Sequence, residues 1–444
     1  MLMKPVFELF GELQFARRFN SASVVGRASA WAEIHLRGTH HYGYDYGKMI
    51  RALTLLLSLL ATTATAADRI TWQRLSTTTG DLPVPGVSTQ QTGTIIGDFD
   101  RDGIADFVIT ARAAAPAMVW YRRTAKGWSR YVVEDSLLPI EAGGIAADVD
   151  GDGDLDIIAG GDYRSNEVWW WENPAPKFRA SKPWTRHVIK REGAGQHHDL
   201  LAGDFNRDGI ADLVFWNQRA SALFMATFPH DPRRTESWLY REIFHAEGMA
   251  EGLAKADIDG DGFDDIVGGG RWFRRNVDGA FTAHVIDASQ QFTRAAAGDL
   301  KRGGGPEVVF VSGDRAGRLK WYEGSGDRWT GHDLLGEDVI HGHSLQIADI
   351  DGDGNLDIFC AEMGKWTEKA EQPDNPDPRM WIFWGDGKGN FEKTEYHPKQ
   401  CNHESKIADL DGDGRPDILI KPYNQDAPRV DVWLNRSGRV LKAR

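Results

Sequence analysis

Residues 148–156 read Asp-Val-Asp-Gly-Asp-Gly-Asp-Leu-Asp, and the same grammar returns six more times along the chain. The copies begin at Asp98 (DFDRDGIAD), Asp148, Asp204 (DFNRDGIAD), Asp257 (DIDGDGFDD), Asp299 (DLKRGGGPE), Asp349 (DIDGDGNLD) and Asp409 (DLDGDGRPD). A recurrence every ~50 residues is the signature of a fold that stacks one supersecondary unit. The flanks describe that unit. A small apolar run such as Leu200-Leu201-Ala202 precedes the acidic loop, and a β-rich run such as Phe107-Val108-Ile109 follows it. A third run carries aromatics, as in Val119-Trp120-Tyr121, and a fourth reads Trp184-Thr185-Arg186-His187-Val188-Ile189. Four short strands per repeat, joined by Gly/Asp turns, make a propeller blade, so the fold class expected is all-β, a seven-bladed β-propeller. Residues Ile70–Leu75 look like a fourth strand yet precede the first repeat. They are expected to complete the last blade and close the ring, with the tail Arg439–Arg444 competing for that place. No segment sustains a 3.6-residue period, which argues against tandem helical repeats.

The loops place carboxylates at alternating positions. Positions 1, 3, 5 and 9 are Asp98, Asp100, Asp102 and Asp106 in the first loop and Asp148, Asp150, Asp152 and Asp156 in the second. They are Asp204, Asn206, Asp208 and Asp212 in the third, and Asp257, Asp259, Asp261 and Asp265 in the fourth. The sixth has Asp349, Asp351, Asp353 and Asp357; the seventh has Asp409, Asp411, Asp413 and Asp417. Hard oxygens so spaced, with glycine letting the loop wrap, are what Ca²⁺ requires. Asn206 offers a neutral oxygen, so six loops are expected to bind Ca²⁺. The fifth has Lys301 and Gly303 where carboxylates are needed and is expected to bind nothing. The first half of the loop matches an EF-hand, but strands flank it and no Glu stands at position 12. The repeat therefore resembles the FG-GAP/VCBS family, whose integrin-type propellers carry calcium in these loops; the resemblance covers about residues 70–444. A structural role for the ions is the expectation.

The chain has 444 residues, 41% hydrophobic and 26% charged, which excludes wholesale disorder. A formal net charge of -13 argues against nucleic-acid binding. Two cysteines, Cys360 and Cys401, exclude a disulfide scaffold; they could pair after export or remain buried thiols. From Met49 the chain shows a basic start at Arg51, a short apolar core and Ala64-Thr65-Ala66. That is signal-peptide anatomy, too short to span a bilayer. The expected organisation is therefore 1–48 as upstream translation, 49–66 as signal peptide and 67–444 as one propeller. The mature protein is expected to be secreted or periplasmic, monomeric and without a transmembrane span.

The calcium loops join the first and second strands of each blade, so chemistry is expected on the opposite face. Six places before each first aspartate stand Thr92, Ala142, His198, Glu251, Thr293, His343 and His403. Equal offsets lie at equal heights around a propeller channel. His198, Glu251, His343 and His403 could therefore converge on a transition metal, Zn²⁺ or Mn²⁺; the alternative is polar lining of a wet channel. Nearby, His197 and His341 are candidate bases, and Arg271 and Arg294 candidate holders of an anionic group. Trp216 and Trp366 could stack on sugar rings, whereas Trp120, Trp170 and Trp321, at one fixed offset, are structural.

The histidine-rich strand entries resemble the propellers of aldos-2-ulose dehydratases and rhamnogalacturonan-type lyases. That resemblance implies a carbon–oxygen lyase acting on carbohydrate by β-elimination. A metal would polarise a carbonyl or neutralise a uronate carboxylate, and a neighbouring base would remove the α-proton. The alternatives are a carbohydrate- or protein-binding module of lectin or adhesion type using the same face, and a structural protein of the cell envelope.

Overall fold

Each acidic loop is followed by a strand buried from end to end, as Asp106–Ala111 and Asp357–Ala361 are. Packing on both faces is why these strands read as unbroken apolar runs rather than alternating ones. The computed structural model describes residues 69–365, 373–398 and 400–437. Residues 1–68, Trp366 and the tail Arg439–Arg444 lie outside them, and with them the signal-peptide reading.

The described strands form seven four-stranded antiparallel sheets. Blade 1 is Gln91–Gly97, Asp106–Ala111, Met118–Thr124 and Gly127–Glu134. Blade 2 is Ile145–Ala147, Asp156–Gly160, Val168–Glu172 and Thr185–Lys190. Blade 3 is His197–Gly203, Asp212–Asn217, Ala222–Thr227 and Tyr240–His245. Blade 4 is Ala254–Ala256, Asp265–Gly268, Arg271–Arg275 and Phe281–Val285. Blade 5 is Thr293–Gly298, Glu307–Ser312, Ala316–Ser325 and Arg328–Ile340. Blade 6 is Ser344–Ala348, Asp357–Ala361, Met380–Gly385 and Phe391–Tyr396. Blade 7 is Lys406–Ala408, Asp417–Ile420 and Asp431–Asn435, completed by Trp72–Ser76 from the other end of the chain. That pairing closes the ring and gives the last blade its fourth, outer strand.

The core is seven separate wedges, one between each pair of neighbouring blades. Trp120 and Trp169 meet between blades 1 and 2, and Trp216 and Phe273 between blades 3 and 4. Phe107 and Val432 meet between blades 1 and 7. Trp120, Trp170 and Trp321 are all buried, as their shared offset predicts. Trp170 and Trp321 each stack on a fourth-strand histidine, His187 and His332.

In blades 2 and 7 the aspartate at position 9 fastens the blade. Asp156 accepts Val149 N (3.0 Å) and Asn173 N (2.8 Å); Asp417 accepts Leu410 N (2.9 Å) and Asn435 N (2.8 Å). One carboxylate thus ties the loop to the end of the third strand. At position 4, arginine alternates with glycine over blades 1 to 6. Arg101 reaches Asp154 of the next blade (3.3 Å), Arg207 pairs with Asp261, and Arg302 donates to Gly354 O (2.6 Å). Cys360 and Cys401 are buried free thiols, the latter donating to Gln425 Oε1 at 2.9 Å. No helix among the described residues is long and apolar enough to cross a membrane.

Candidate metal centre in the channel

The column six places before each loop behaves unequally. Thr92 bonds Thr110 (2.9 Å), Thr293 bonds Gln290 O (2.6 Å) and Ala142 is buried. His198, Glu251 and His343 come together, with one ligand atom from each lying within 4.8 Å of the others. All three are buried. His403 stacks on His343, ring centroids 4.2 Å apart.

The backbone explains the convergence. Adjacent strand residues point to opposite faces, yet a bulge between His198 and Leu200 turns both His198 and Asp199 inward. Asp199 has φ +51° and Glu404, at the same offset in blade 7, has φ +54°. Blades 2 and 4 use glycine there, Gly143 and Gly252, at φ +85° and +78°. Left-handed aspartate and glutamate are strained choices, kept where the side chain is needed.

Asp199 Oδ2 sits 2.7 Å from His198 Nδ1 and accepts Gly252 N at 2.8 Å. Arg294 forks onto Asp199 at 2.8 and 2.6 Å and reaches Glu404 Oε1 at 2.7 Å. His198 Nε2 then faces Glu251 Oε2 at 3.7 Å. Burial opposes charge on His198, but the Asp199 carboxylate outweighs it and lifts the imidazole pKa to about 10. Burial and the Arg294 charge push His343 down to about 3, and burial pushes Glu251 up to about 8. Neither Glu251 oxygen nor His343 Nδ1 has a hydrogen-bond partner. The orphaned, buried Glu251 oxygens and His343 Nδ1, with His198 Nε2 facing Glu251, are a donor set that fits a borderline divalent metal, whose charge would replace the His198 proton.

Other expected site residues are placed elsewhere. His403 Nδ1 lies 2.9 Å from the buried Lys421 Nζ, which also donates to Gln91 O and Thr92 O. Burial lowers the Lys421 pKa well below its usual value, and this contact occupies His403 Nδ1. His197 packs edge-on against Phe215 beside Asn217, and burial drives its pKa down to about 3. It is fully buried and offers no exposed base. Arg271 donates to Gly269 O (2.8 Å) and lies over Phe244, and Arg294 is committed to two carboxylates. Arg294 is therefore not free to hold a substrate anion. Trp216 is buried with its indole bonded to Gly252 O (3.1 Å), so it is core and not a sugar platform.

His341 is held by Asp374, Nε2 to Oδ2 at 2.9 Å. Asp314, which the sequence reading missed, has a half-exposed side chain 3.4 Å from Lys365 Nζ. Partial desolvation opposes it, but the nearby Lys365 ammonium holds the Asp314 carboxyl below its usual range.

In the acidic loops, Asp100 Oδ1, Asp349 Oδ1 and Asp411 Oδ1 are buried without a hydrogen-bond partner. Asp150 Oδ2 and Asp259 Oδ2 have only an arginine alongside, Arg233 and Arg274. Asp98, Asp100 and Asp102 cluster at ligand spacing, as do Asp148, Asp150 and Asp156, Asp257, Asp259 and Asp265, and Asp349, Asp351 and Asp353. Blade 3 differs. Asn206 turns its amide nitrogen to Asp212 Oδ1 (3.1 Å) and Thr227 Oγ1 (3.2 Å). Its oxygen accepts Asp208 N at 2.9 Å, as Asp150, Asp259 and Asp351 accept in their own loops, so the amide nitrogen is what sets this loop apart. In blade 5 Lys301 pairs with Glu323, supplying its own cation.

Comparison with known proteins follows the same lines. The chain is 26% identical over 318 residues to an aldos-2-ulose dehydratase of Phanerodontia chrysosporium, covering 65% of this chain and 30% of that protein. The chain thus spans less than a third of the length of that curated relative. The crystal structure of BBS1N in complex with ARL6DN shares the fold, with TM-score 0.50, 11% identity, and 83% and 97% of the two chains covered. The V. cholerae biofilm matrix protein Bap1 matches more loosely, with TM-score 0.36, 12% identity, and 79% and 69% covered. Residues 148–215 match the FG-GAP-like repeat model, and the chain that carries them is a seven-bladed β-propeller.

Proposed function

We propose that the protein is a carbohydrate-acting enzyme of the β-eliminating class, a carbon–oxygen lyase, working at the channel end opposite the acidic loops. The observation that carries this reading is the buried His198, Glu251 and His343 group with its orphaned acceptor atoms. The dehydratase similarity supports it. When bound there, a divalent metal such as Zn²⁺ or Mn²⁺ supplies Lewis acidity toward a sugar carbonyl. The chain's part is to hold that position and to move a proton. Asp199 orients His198, while Glu251 and His343 complete the ligand set. At the mouth, Asp314 and the Asp374-oriented His341 are the groups placed to accept the proton α to the carbonyl. Calcium in five acidic loops, those of blades 1, 2, 4, 6 and 7, would neutralise the clustered carboxylates that the fold buries. The protein acts after export and as a monomer in this reading.

The test is turnover of keto-sugars and uronate polysaccharides, read as the ultraviolet absorbance of the unsaturated product, in the protein and in His343→Ala. Turnover that His343→Ala abolishes, with fold and calcium content intact, supports the assignment. Full activity in a folded His343→Ala sinks it. Glycan binding without product would make the protein a binding module.

A further inference from the structure

We propose that Arg294 is a positioning residue of the channel site, holding Asp199 so that His198 presents Nε2 toward Glu251 and His343. This rests on the reading that those three residues hold a divalent metal. Arg294 enters from blade 5 and forks onto Asp199 of blade 3, at 2.8 and 2.6 Å. The same Nη2 lies 2.7 Å from Glu404 of blade 7. One side chain thus ties blades 3, 5 and 7, and the two blades it skips supply Glu251 and His343. Asp199 in turn occupies His198 Nδ1 at 2.7 Å, leaving Nε2 as the ring's free nitrogen, 3.7 Å from Glu251 Oε2.

The arrangement is expensive. A guanidinium and two carboxylates are buried together, and both acids sit in left-handed backbone. A purely structural tie between blades needs none of this, since apolar packing already joins every neighbouring pair. What the fork adds is angular control. Two parallel N–H donors fix the plane of the Asp199 carboxylate, which a lysine cannot do, and that plane fixes the imidazole.

The experiment is a Co²⁺ titration of calcium-loaded protein freed of transition metals, read by the visible cobalt absorption. Arg294→Gln is expected to weaken cobalt binding about 10–100-fold and to alter the spectrum. Arg294→Lys, which keeps the charge but not the fork, is expected to be weakened too. Wild-type affinity and spectrum in Arg294→Gln would overturn the proposal. Should that variant not fold, Asp199→Ala is read in its place, because it leaves His198 Nδ1 no side-chain acceptor; unchanged cobalt binding there overturns the proposal equally. Absence of cobalt binding in the wild-type protein would count against the metal reading alone. Histidine ¹⁵N NMR then decides Arg294: a hydrogen-bonded His198 Nδ1 proton that disappears in Arg294→Gln supports its role, and one that persists refutes it.

Discussion

A Cβ built on Gly143 would lie 2.4 Å from Asp199 Cα. Blade 2 is bare at that height because blade 3 brings Asp199 inward against it. Gly143 also has φ +85°, so Gly143→Ala is strained twice over. The expected cost is about 1–3 kcal/mol, with displacement of Asp199 and loss of transition-metal uptake. Urea unfolding and elemental analysis check both. Normal metal content in the variant would show that the contact does not support the site.

The acidic loops make a count that can be wrong by one. Asn206 spends its amide nitrogen on Asp212 and Thr227, so the third loop has no orphaned oxygen to offer. Elemental mass spectrometry should find five calcium ions per chain, and Asn206→Asp should raise that to six. Six in the wild-type protein would mean that the Asn206 amide turns over to bind metal.

Ring closure rests on Trp72–Ser76 pairing with Asp431–Asn435. Beneath that seam Trp433 is buried, with the Arg74 guanidinium 3.9 Å from its ring centre. Trp433→Ala is expected to cost about 3–5 kcal/mol. Deleting residues 69–76 should go further and bare an edge strand, giving aggregation at concentrations where the intact chain stays dispersed. Light scattering distinguishes the two, and a dispersed, cooperatively unfolding deletion would show that the last blade closes without its fourth strand.

Lys190 gives the fold a pH dependence away from the site. Its ammonium is buried, donating to Asn166 O (2.8 Å) and Ala194 O (2.9 Å), and burial lowers its pKa from 10.5 to about 8. Between those values the unfolded chain binds a proton that the folded one does not. Lys190 therefore makes stability rise with pH from about 8 to 10.5, by about 3 kcal/mol at most. The stability difference between the protein and Lys190→Met, followed by urea unfolding across that range, should grow with pH; a flat difference would mean that the amine is not held in a dry place.

The blade count and the closing strand were legible because each repeat spells its own loop and because a fourth strand stood orphaned before the first loop. The channel histidines were legible as a column at a fixed offset. Asp199, Arg294 and Glu404 were legible as polar neighbours of that column, but not as its hydrogen-bond partners. Asp199 and Glu404 face inward through left-handed backbone, which glycine advertises at positions 143 and 252 but an acidic residue does not. His197 and His198 are adjacent, and the bulge that separates their fates is a feature of pairing, not of residue type. Trp216 read as a surface aromatic because a strand's letters do not say which of its faces meets the neighbouring blade. An amide can turn either end inward, and the letter at 206 does not say which end it turns.

The alternating arginines at position 4 give the ring an internal rhythm. Arg101, Arg207 and Arg302 each reach forward to the next blade's loop, joining blades 1 with 2, 3 with 4 and 5 with 6. Seven is odd, so blade 7 is left out of the pairing, with Gly412 where a partner's arginine would stand. The blade left out of this alternation is also the one completed by Trp72–Ser76. Counted by these arginines alone the rim is three couples and a clasp; the clasp is held to blade 6 by a different arginine, Arg69 on Asp351 at 3.1 Å, and breathing of the ring should begin where that exposed arginine lets go.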